Sequence, residues 1–571
     1  VWIADAKGRQ ILHIDAAGRR ERIPTAGAPL VTRFHGGLLW ASVRAPEQAP
    51  PPAAGEELRI PLLDDQIGNA DPAANGGPVF RQLAYSTCAN LVRHPDAAGA
   101  EGSRLVPEVA AALPAISRDG RTYTFRIRPG FRFSPPSGQR VTAETFKFTI
   151  ERAMSHAFAI GGGPSAAAQV LADVAGVRTF TSGKASHVSG ITVRGDTLTF
   201  TLTHAAGDFL ERLTSSSVCP VPVGTPAVAG GGTHTPIAMT GPYYVVSTAE
   251  GQAVIERNPN YRGDRPRRIP RIVYATGPTS AEIVARVRSG RADYLNLYTA
   301  GDGATAALAP GGSLDRAFGL ASRAGRAGRA RYVPSPAPGF DAVAFNTRRP
   351  LFRDARLRRA VAYALDRAAL ARVFGEQPSD RILPPAVGGA RGTLVYPSEP
   401  DLATARRLAG HGRRSATLYY CGPPINGRIA QIVRSNLGRI GIDVRIDASL
   451  GCLAGPETKR LAAADLELVS HFEQFDDPAG FVDLALGDPY TVPGYATGAP
   501  IVKEVTSARS LRGAARVATY ARLEASLVRS AAPVAVYASA VNPEFYSARV
   551  GCKLSQGALN VADLGALCLR G

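Results

Sequence analysis

Between Leu105 and Met154 the chain reads LVPEVAAALPAISRDGRTYTFRIRPGFRFSPPSGQRVTAETFKFTIERAM, and this order restricts what it can fold into. A short apolar turn leads to a polar turn at Ser117–Gly120. Apolar and polar residues then alternate over Thr122–Arg128, the period-2 pattern of a half-buried strand. Pro129–Gly130 supplies a second tight turn, and a proline-rich loop follows. Thr142 then stands at the N-cap of a helix that carries Phe146, Phe148 and Ile150 in its body. Strand, loop and helix in one run place the segment in a mixed α/β layer.

At 571 residues the chain exceeds one compact domain, and length alone suggests about three or four units. With 45% hydrophobic residues it can bury large cores and should be globular. No run of about 18 apolar residues is present, so no helical membrane span is expected within it. The chain starts on valine, without a basic–apolar–small leader and with no cysteine before Cys88 to carry a lipid. It is therefore expected to be a mature form or a fragment of something longer. Membrane association would then come only from segments outside this chain.

The formal charge of +19 invites a nucleic-acid reading. Only six of the 66 basic residues are lysine, and arginine with abundant Ala, Gly and Pro is what GC-rich coding tends to give. The densest cluster, Arg323, Arg326, Arg329 and Arg331, falls in a Gly/Ala-rich loop without interleaved aromatics, so stacking platforms for bases are missing. A solvated basic loop is the expectation, with no nucleic-acid partner; a weak pull toward anionic envelope surfaces stays open.

Cys88, Cys219, Cys421, Cys452, Cys552 and Cys568 form an even, widely spaced set with no C-x-x-C. Metal sites want tighter ligand spacing, so structural disulfides in an oxidising compartment are expected and no metal is. Six cysteines allow about fifteen connectivities, and six buried free thiols are the alternative.

Residues 1–44 show three or four short strands separated by Gly turns and resemble one β-propeller blade. A single blade cannot bury both faces. Either preceding blades are missing or these strands pack on the main body. Residues 45–54, APEQAPPPAA within Ala45–Ala54, are a stiff proline-rich linker. The main body opens with the strand Glu57–Leu63, a polar loop containing Asp71–Pro72, and a helix over Pro78–Val92.

Four blocks now carry a resemblance. The opening "S-R-D-G-R-T-Y-T-F-R-I-R-P-G-F-R-F…V-T-A-E" is the first, with the strand–D-P–helix start before it. Met239–Tyr261, with T-G-P-Y-Y and N-P-N-Y, is the second. Val343–Leu370, VAFNTRRPLFRDARLRRAVAYALDRAAL, is the third; Asp354 caps its helix, and Arg358, Asp366 and Arg367 are the charges kept. Leu383–Pro385 with the helix Asp401–Leu408 is the fourth, followed by SATLYY, the helix Ile425–Ile440 and IDVRID as a β-α-β unit. In this order they resemble the family 5 extracellular solute-binding proteins, the dipeptide/oligopeptide-binding components of ABC importers, over roughly residues 57–545.

The resemblance implies an α/β, two-lobe periplasmic-binding-protein-like fold (type II, cluster C-like) with a hinge, preceded by the short all-β segment. Lobe I would span 55–275 and lobe II 276–532, with 533–571 returning to lobe I. The crossings would fall near Ile272–Thr276 and Pro533–Ala540. Disulfides Cys88–Cys219, Cys421–Cys452 and Cys552–Cys568 would each then lie within one lobe. It further implies an extracytoplasmic monomer that captures a small ligand, most of all a peptide or peptide-like molecule, for a permease and ATPase pair. The alternative is a ligand-sensing or interaction module of a larger membrane-anchored regulatory protein.

For catalysis the chain offers no G-x-S-x-G, H-E-x-x-H or Walker loop, and its nine histidines are dispersed. Gly301–Ala306 imitates G-x-G-x-x-A but lacks the later acidic residue, so a plain loop-to-helix turn is expected, with no cofactor. The informative stretch is Leu466–Phe481, LELVSHFEQFDDPAGF. In the family an aspartate four residues before the proline pairs with a peptide's α-ammonium group. Here Gln474 holds that place, and His471 holds the family tryptophan's. Gln474 accepts a hydrogen bond but brings no charge, and burying an ammonium without one costs several kcal/mol, on the order of 3 or more. Asp476 and Asp477 are open to ligand contact or to capping the helix after Pro478. The expected lining is Asp71, Asn75 and Tyr85 from lobe I, with His471, Phe472, Gln474, Phe475 and Asp476 from lobe II.

Overall fold

The alternating segment folds as the strand Thr122–Arg126, two residues shorter than the alternation suggested, with Tyr123 and Phe125 buried and Arg126 exposed. It pairs antiparallel with Thr197–Thr201, which pairs with Ile191–Arg194 across the turn Gly195–Asp196. Gly195 has φ +57°, the left-handed conformation that such two-residue turns require. The helix Ala143–Met154 starts on a reciprocal cap: the Thr145 N–H donates to Thr142 Oγ1 at 3.4 Å and the Thr142 N–H to Thr145 Oγ1 at 3.0 Å. Phe146 and Ile150 enter one core with Phe125, Phe200 and Phe209, whereas Phe148 is half-buried. Phe125 and Phe200 meet edge to face at 6.0 Å, and each buried ring contributes about 1.5–3 kcal/mol.

The computed structural model describes residues 2–5, 10–14, 20–24, 29–35, 38–43, 57–64, 67, 71–73, 77–97, 99–158, 165–227, 236–249, 251–277, 279–387, 394–422, 425–449, 455–473, 475–484, 499–556 and 561–570. The chain divides into two units, 1–335 with 542–571, and 336–541. Both passages lie inside long strands, at Ser335–Pro336 within Tyr332–Phe345 and at Val541–Asn542 within Val534–Tyr546.

This division differs from the expected crossings at 272–276 and 533–540, and the first difference is the larger. Arg271–Thr276 pairs in parallel with Glu57–Leu62 and antiparallel with Gln252–Arg257, so it is an interior strand of the first unit. Residues 279–335 also stay there: Asp293 accepts from Arg59 and Arg549, and Tyr294 packs on Tyr546 with ring centroids 5.3 Å apart.

In the second unit Arg414–Cys421, the helix Ile425–Gly438 and Ile442–Ser449 form the anticipated β-α-β unit with parallel strands. Leu466–Phe472 runs parallel to Arg414–Cys421 and antiparallel to Tyr332–Phe345. The helix Ala355–Ala364 starts on Asp354, whose Oδ1 accepts from the Arg356 N–H at 2.8 Å. Arg358 and Arg367 are structural. Arg367 is fully buried and donates to the carbonyls of Val536, Ala362 and Pro397 at 2.9, 2.8 and 3.2 Å; burial lowers its pKa to about 10.

Two disulfides of the expected pairing are present, Cys88–Cys219 and Cys552–Cys568. Cys421 is also disulfide-bonded, and Cys452 lies outside the described residues. The helix expected over Pro78–Val92 ends at Thr87: Cys88 is extended and tied to Cys219, and Val92–Arg93 pairs as a strand with Val106–Pro107. Near the chain start, Trp2–Asp5, Gln10–Ile14 and Arg20–Pro24 form an antiparallel sheet, and Pro29–His35 pairs with Leu38–Val43. The basic cluster is only partly solvated. Arg331 lies 4.6 Å from the Phe318 ring and 4.9 Å from that of Phe545, and donates to the Tyr546 carbonyl at 2.8 Å. Gly301–Ala306 is a turn into the short helix Thr305–Leu308. Among the described residues no helix is long and apolar enough to cross a membrane.

Candidate functional site

The strand Leu466–Phe472 and the helix Pro478–Leu484 position the segment in which the family resemblance placed ligand contacts. Alternation along the strand sends His471 and Ser470 to opposite faces. His471 sits opposite Phe340 and shares a cluster with Phe340 and Phe481, at ring centroid distances of 5.6 and 5.3 Å. Its Nε2 lies 3.1 Å from Glu473 Oε1. Glu473 in turn fills the space over Gly480, where a Cβ would fall 1.8 Å from Oε1.

Phe472 lies opposite Gly339, and its ring occupies the place of a side chain there: a Cβ at 339 would come within 2.4 Å of it. Glycine at 339 is thus what lets the Phe472 ring lie across the neighbouring strand. Phe475 and Asp476 are half-buried in the turn before the helix, and the Phe475 carbonyl accepts from the Asp477 N–H at 3.0 Å.

Asp477 resolves the alternative left open between capping and ligand contact. Its Oδ1 accepts from the Ala479 N–H at 2.8 Å, capping the helix whose first residue is Pro478. Arg516 holds the same carboxylate through Nη2 and Nε, at 2.7 and 2.8 Å. Gln474 lies outside the described residues, as does Asn75.

The two remaining candidates belong to the first unit and are held in separate networks. Asp71 is 5% exposed; its Oδ1 accepts from the Ala73 N–H at 2.9 Å and from Arg152 Nη1 at 3.2 Å, and its Oδ2 from Arg152 Nη2. Tyr85 donates within 3.1 Å of Asp96 Oδ1 and lies under the Arg265 guanidinium, 4.0 Å from the ring centre. Burial pushes its phenol well above the ordinary range. Both residues are built into the first unit. Gly339, Phe340, Glu473 and Arg516 escaped the sequence reading because each acts through a partner remote in sequence.

The family profile described as "Bacterial extracellular solute-binding proteins, family 5 Middle" matches residues 104–489. The chain belongs to this family. Its fold is the family's two-lobe α/β binding-protein fold, and its role is binding, with no enzymatic activity. It is 27% identical over 420 residues to di/tripeptide-binding protein 2 of Pseudomonas aeruginosa (strain UCBPP-PA14), covering 68% of this chain and 72% of that one. It is 26% identical over 385 residues to the "Probable deoxycholate-binding periplasmic protein YgiS" of Escherichia coli (strain K12), covering 65% and 67%. Among solved structures, clavulanic acid biosynthesis oligopeptide binding protein 2 superposes with a TM-score of 0.77 at 20% identity, covering 91% of this chain and 97% of that one.

Proposed function

We propose that this family 5 binding protein captures a peptide or peptide-like molecule outside the cytoplasm and delivers it, as a monomer, to an ABC permease and ATPase pair. The observation that carries the reading is the family match across residues 104–489, which spans segments of both units. On the second unit, His471, Phe472, Phe475 and Asp476 are the proposed ligand-contacting residues, together with Gln474.

The family's acidic anchor for a free α-amine is replaced by Gln474, and Asp477 is already committed to Arg516 and the helix start. The proposed ligand is therefore one whose α-amine is absent, masked or held elsewhere. Mass spectrometry of small molecules that co-purify with gently prepared protein tests this: peptides or peptide-like molecules are expected, and a steroid or sugar as the sole enriched species overturns it.

A second reading rests on the five strands among the described residues ahead of Glu57, which precede the family-matched segment. There the binding fold is a ligand-sensing module of a larger membrane-anchored regulator. Adjacent permease and ATPase genes favour import; an adjoining DNA-binding and membrane segment favours sensing.

A further inference from the structure

The chain meets most of its buried carboxylates with arginine, as at Asp71–Arg152, Glu524–Arg381 and Asp477–Arg516. One acidic pair in the second unit departs from that habit. Asp341, 3% exposed, comes from the strand Tyr332–Phe345, and Glu376 from the turn after the helix Arg367–Phe374. Burial, the Asp341 charge and a hydrogen bond with Asp341 hold the Glu376 carboxyl well above the usual carboxylate range. Ser470 Oγ donates to Asp341 Oδ1, and no cationic side chain among the described residues is paired with either acid.

A separate group points into the same place. Tyr537, 3% exposed on the strand Val534–Tyr546, has a hydroxyl that feels the fields of both Asp341 and Glu376. Among the described residues Glu376 Oε2 and Ser539 Oγ are buried without a partner, and Ser539 lies two residues along from Tyr537 on the same strand face. Buried polar atoms are nearly always satisfied, so two unpartnered ones, one on the uncompensated acidic pair itself, describe a site built to receive donors. A ligand that carries several N–H donors and a positive charge is the chemical complement. Glu376 is half-buried whereas Asp341 and Tyr537 are each 3% exposed, so an incoming group would reach the pair from the Glu376 side.

We propose that Asp341, Glu376 and Tyr537 form a pocket for a primary ammonium or guanidinium group of the ligand. This deepens the proposed function and rests on it for the rest of the ligand. The cation takes the place of the Glu376 proton: Glu376 gives its proton to solvent, and both carboxylates then accept from the ligand's N–H groups. Asp341 and Tyr537 are the titratable groups that face Glu376, while His471 lies on the opposite face of its strand from Ser470. Burial and the Asp341 charge hold Glu376 well above the usual carboxylate range, so binding should be coupled to proton release.

The test is titration calorimetry of the full chain at pH 7 in buffers of different ionisation enthalpy. The probes are acetyl-Ala-Lys-Ala, acetyl-Ala-Gln-Ala, Ala-Gln-Ala and agmatine. The lysine peptide should bind at least about thirtyfold more tightly than its acetylated glutamine counterpart, the scale of a desolvated charge pair, with proton release. Tight binding of Ala-Gln-Ala alone would assign the pocket to an α-amine; tight binding of both cationic peptides assigns it to either source. Asp341→Asn should abolish the preference for acetyl-Ala-Lys-Ala over acetyl-Ala-Gln-Ala. Glu376→Gln should keep the fold and abolish proton release. Equal affinity for cationic and neutral peptides overturns the pocket and spares the peptide reading. Agmatine binding that depends on Asp341, with no peptide binding, overturns the peptide reading and spares the pocket. Failure of every probe overturns both.

Discussion

Arg516 grips Asp477 through two nitrogens, Nε at 2.8 Å and Nη2 at 2.7 Å, and both residues are buried to within 4% exposure. The same aspartate caps the helix Pro478–Leu484. The pair therefore fixes the turn that carries Phe475 and Asp476. Asp477 belongs to the scaffold of the proposed site.

Breaking that pair should be costly. Asp477→Ala leaves a buried guanidinium without its counter-charge and a helix start without its cap, and is expected to lose about 3–5 kcal/mol of stability. Urea unfolding followed by circular dichroism measures it. A loss below about 1 kcal/mol, the size of an exposed ion pair, would contradict the buried clamp.

Arg367 makes a similar prediction from a different cause. It hydrogen-bonds three carbonyls from a fully buried position. Arg367→Ala strands these acceptors and opens a cavity, and should cost at least about 3 kcal/mol or abolish folding. Arg367→Lys should recover only part of the loss, because lysine cannot reproduce the planar fork.

In the first unit, burial and the neighbouring Asp96 raise the Asp563 pKa to about 7; Glu467, in the second, is raised to about 8 by burial. Both folded values exceed the ordinary carboxylate values of about 3.9 and 4.3. The folded state thus binds these protons more tightly. The stability they supply is complete below about pH 4 and is lost as pH rises toward 7 for Asp563 and 8 for Glu467. Asp563→Asn and Glu467→Gln should each flatten the fall in unfolding free energy between pH 5 and 8, a range set by these values. An unchanged slope in both would contradict it.

The two described disulfides should differ in worth. Cys88–Cys219 closes a separation of 131 residues and Cys552–Cys568 one of 16. Loop entropy then favours the former by about 2 kcal/mol within a typical range of about 2–5 kcal/mol each. Paired Cys→Ala variants compared by thermal unfolding should show the larger drop in Tm for Cys88/Cys219; the reverse order would contradict the entropic account.

What could be read from the residues follows the range of the interactions. Thr142 and Asp354 were legible because helix caps are decided within four residues. The β-α-β unit at Arg414–Ser449 was legible because its periods are local. The unit boundary was not, since Arg271–Thr276 earns its place in the first unit by pairing with Glu57–Leu62, more than two hundred residues away. The helix end at Thr87 was missed because the disulfide to Cys219 overrides a continuing helical period. The same holds at the site. The departure at Gln474 was visible as a substitution, whereas the choice of Asp477 for capping depended on Arg516, and the Asp341–Glu376 pair on a contact between a strand and a remote turn.

On the proposed function, this binding protein takes a peptide-like ligand without anchoring a free α-amine at the place the family uses. Titration calorimetry of matched di- to pentapeptides, free and N-acetylated, tests it most directly. Acetylation is expected to change Kd by less than about threefold, well under the roughly thirtyfold or greater effect of removing a buried charge pair. Tight binding of ordinary peptides that N-acetylation abolishes, undiminished in Asp341→Asn, would contradict it.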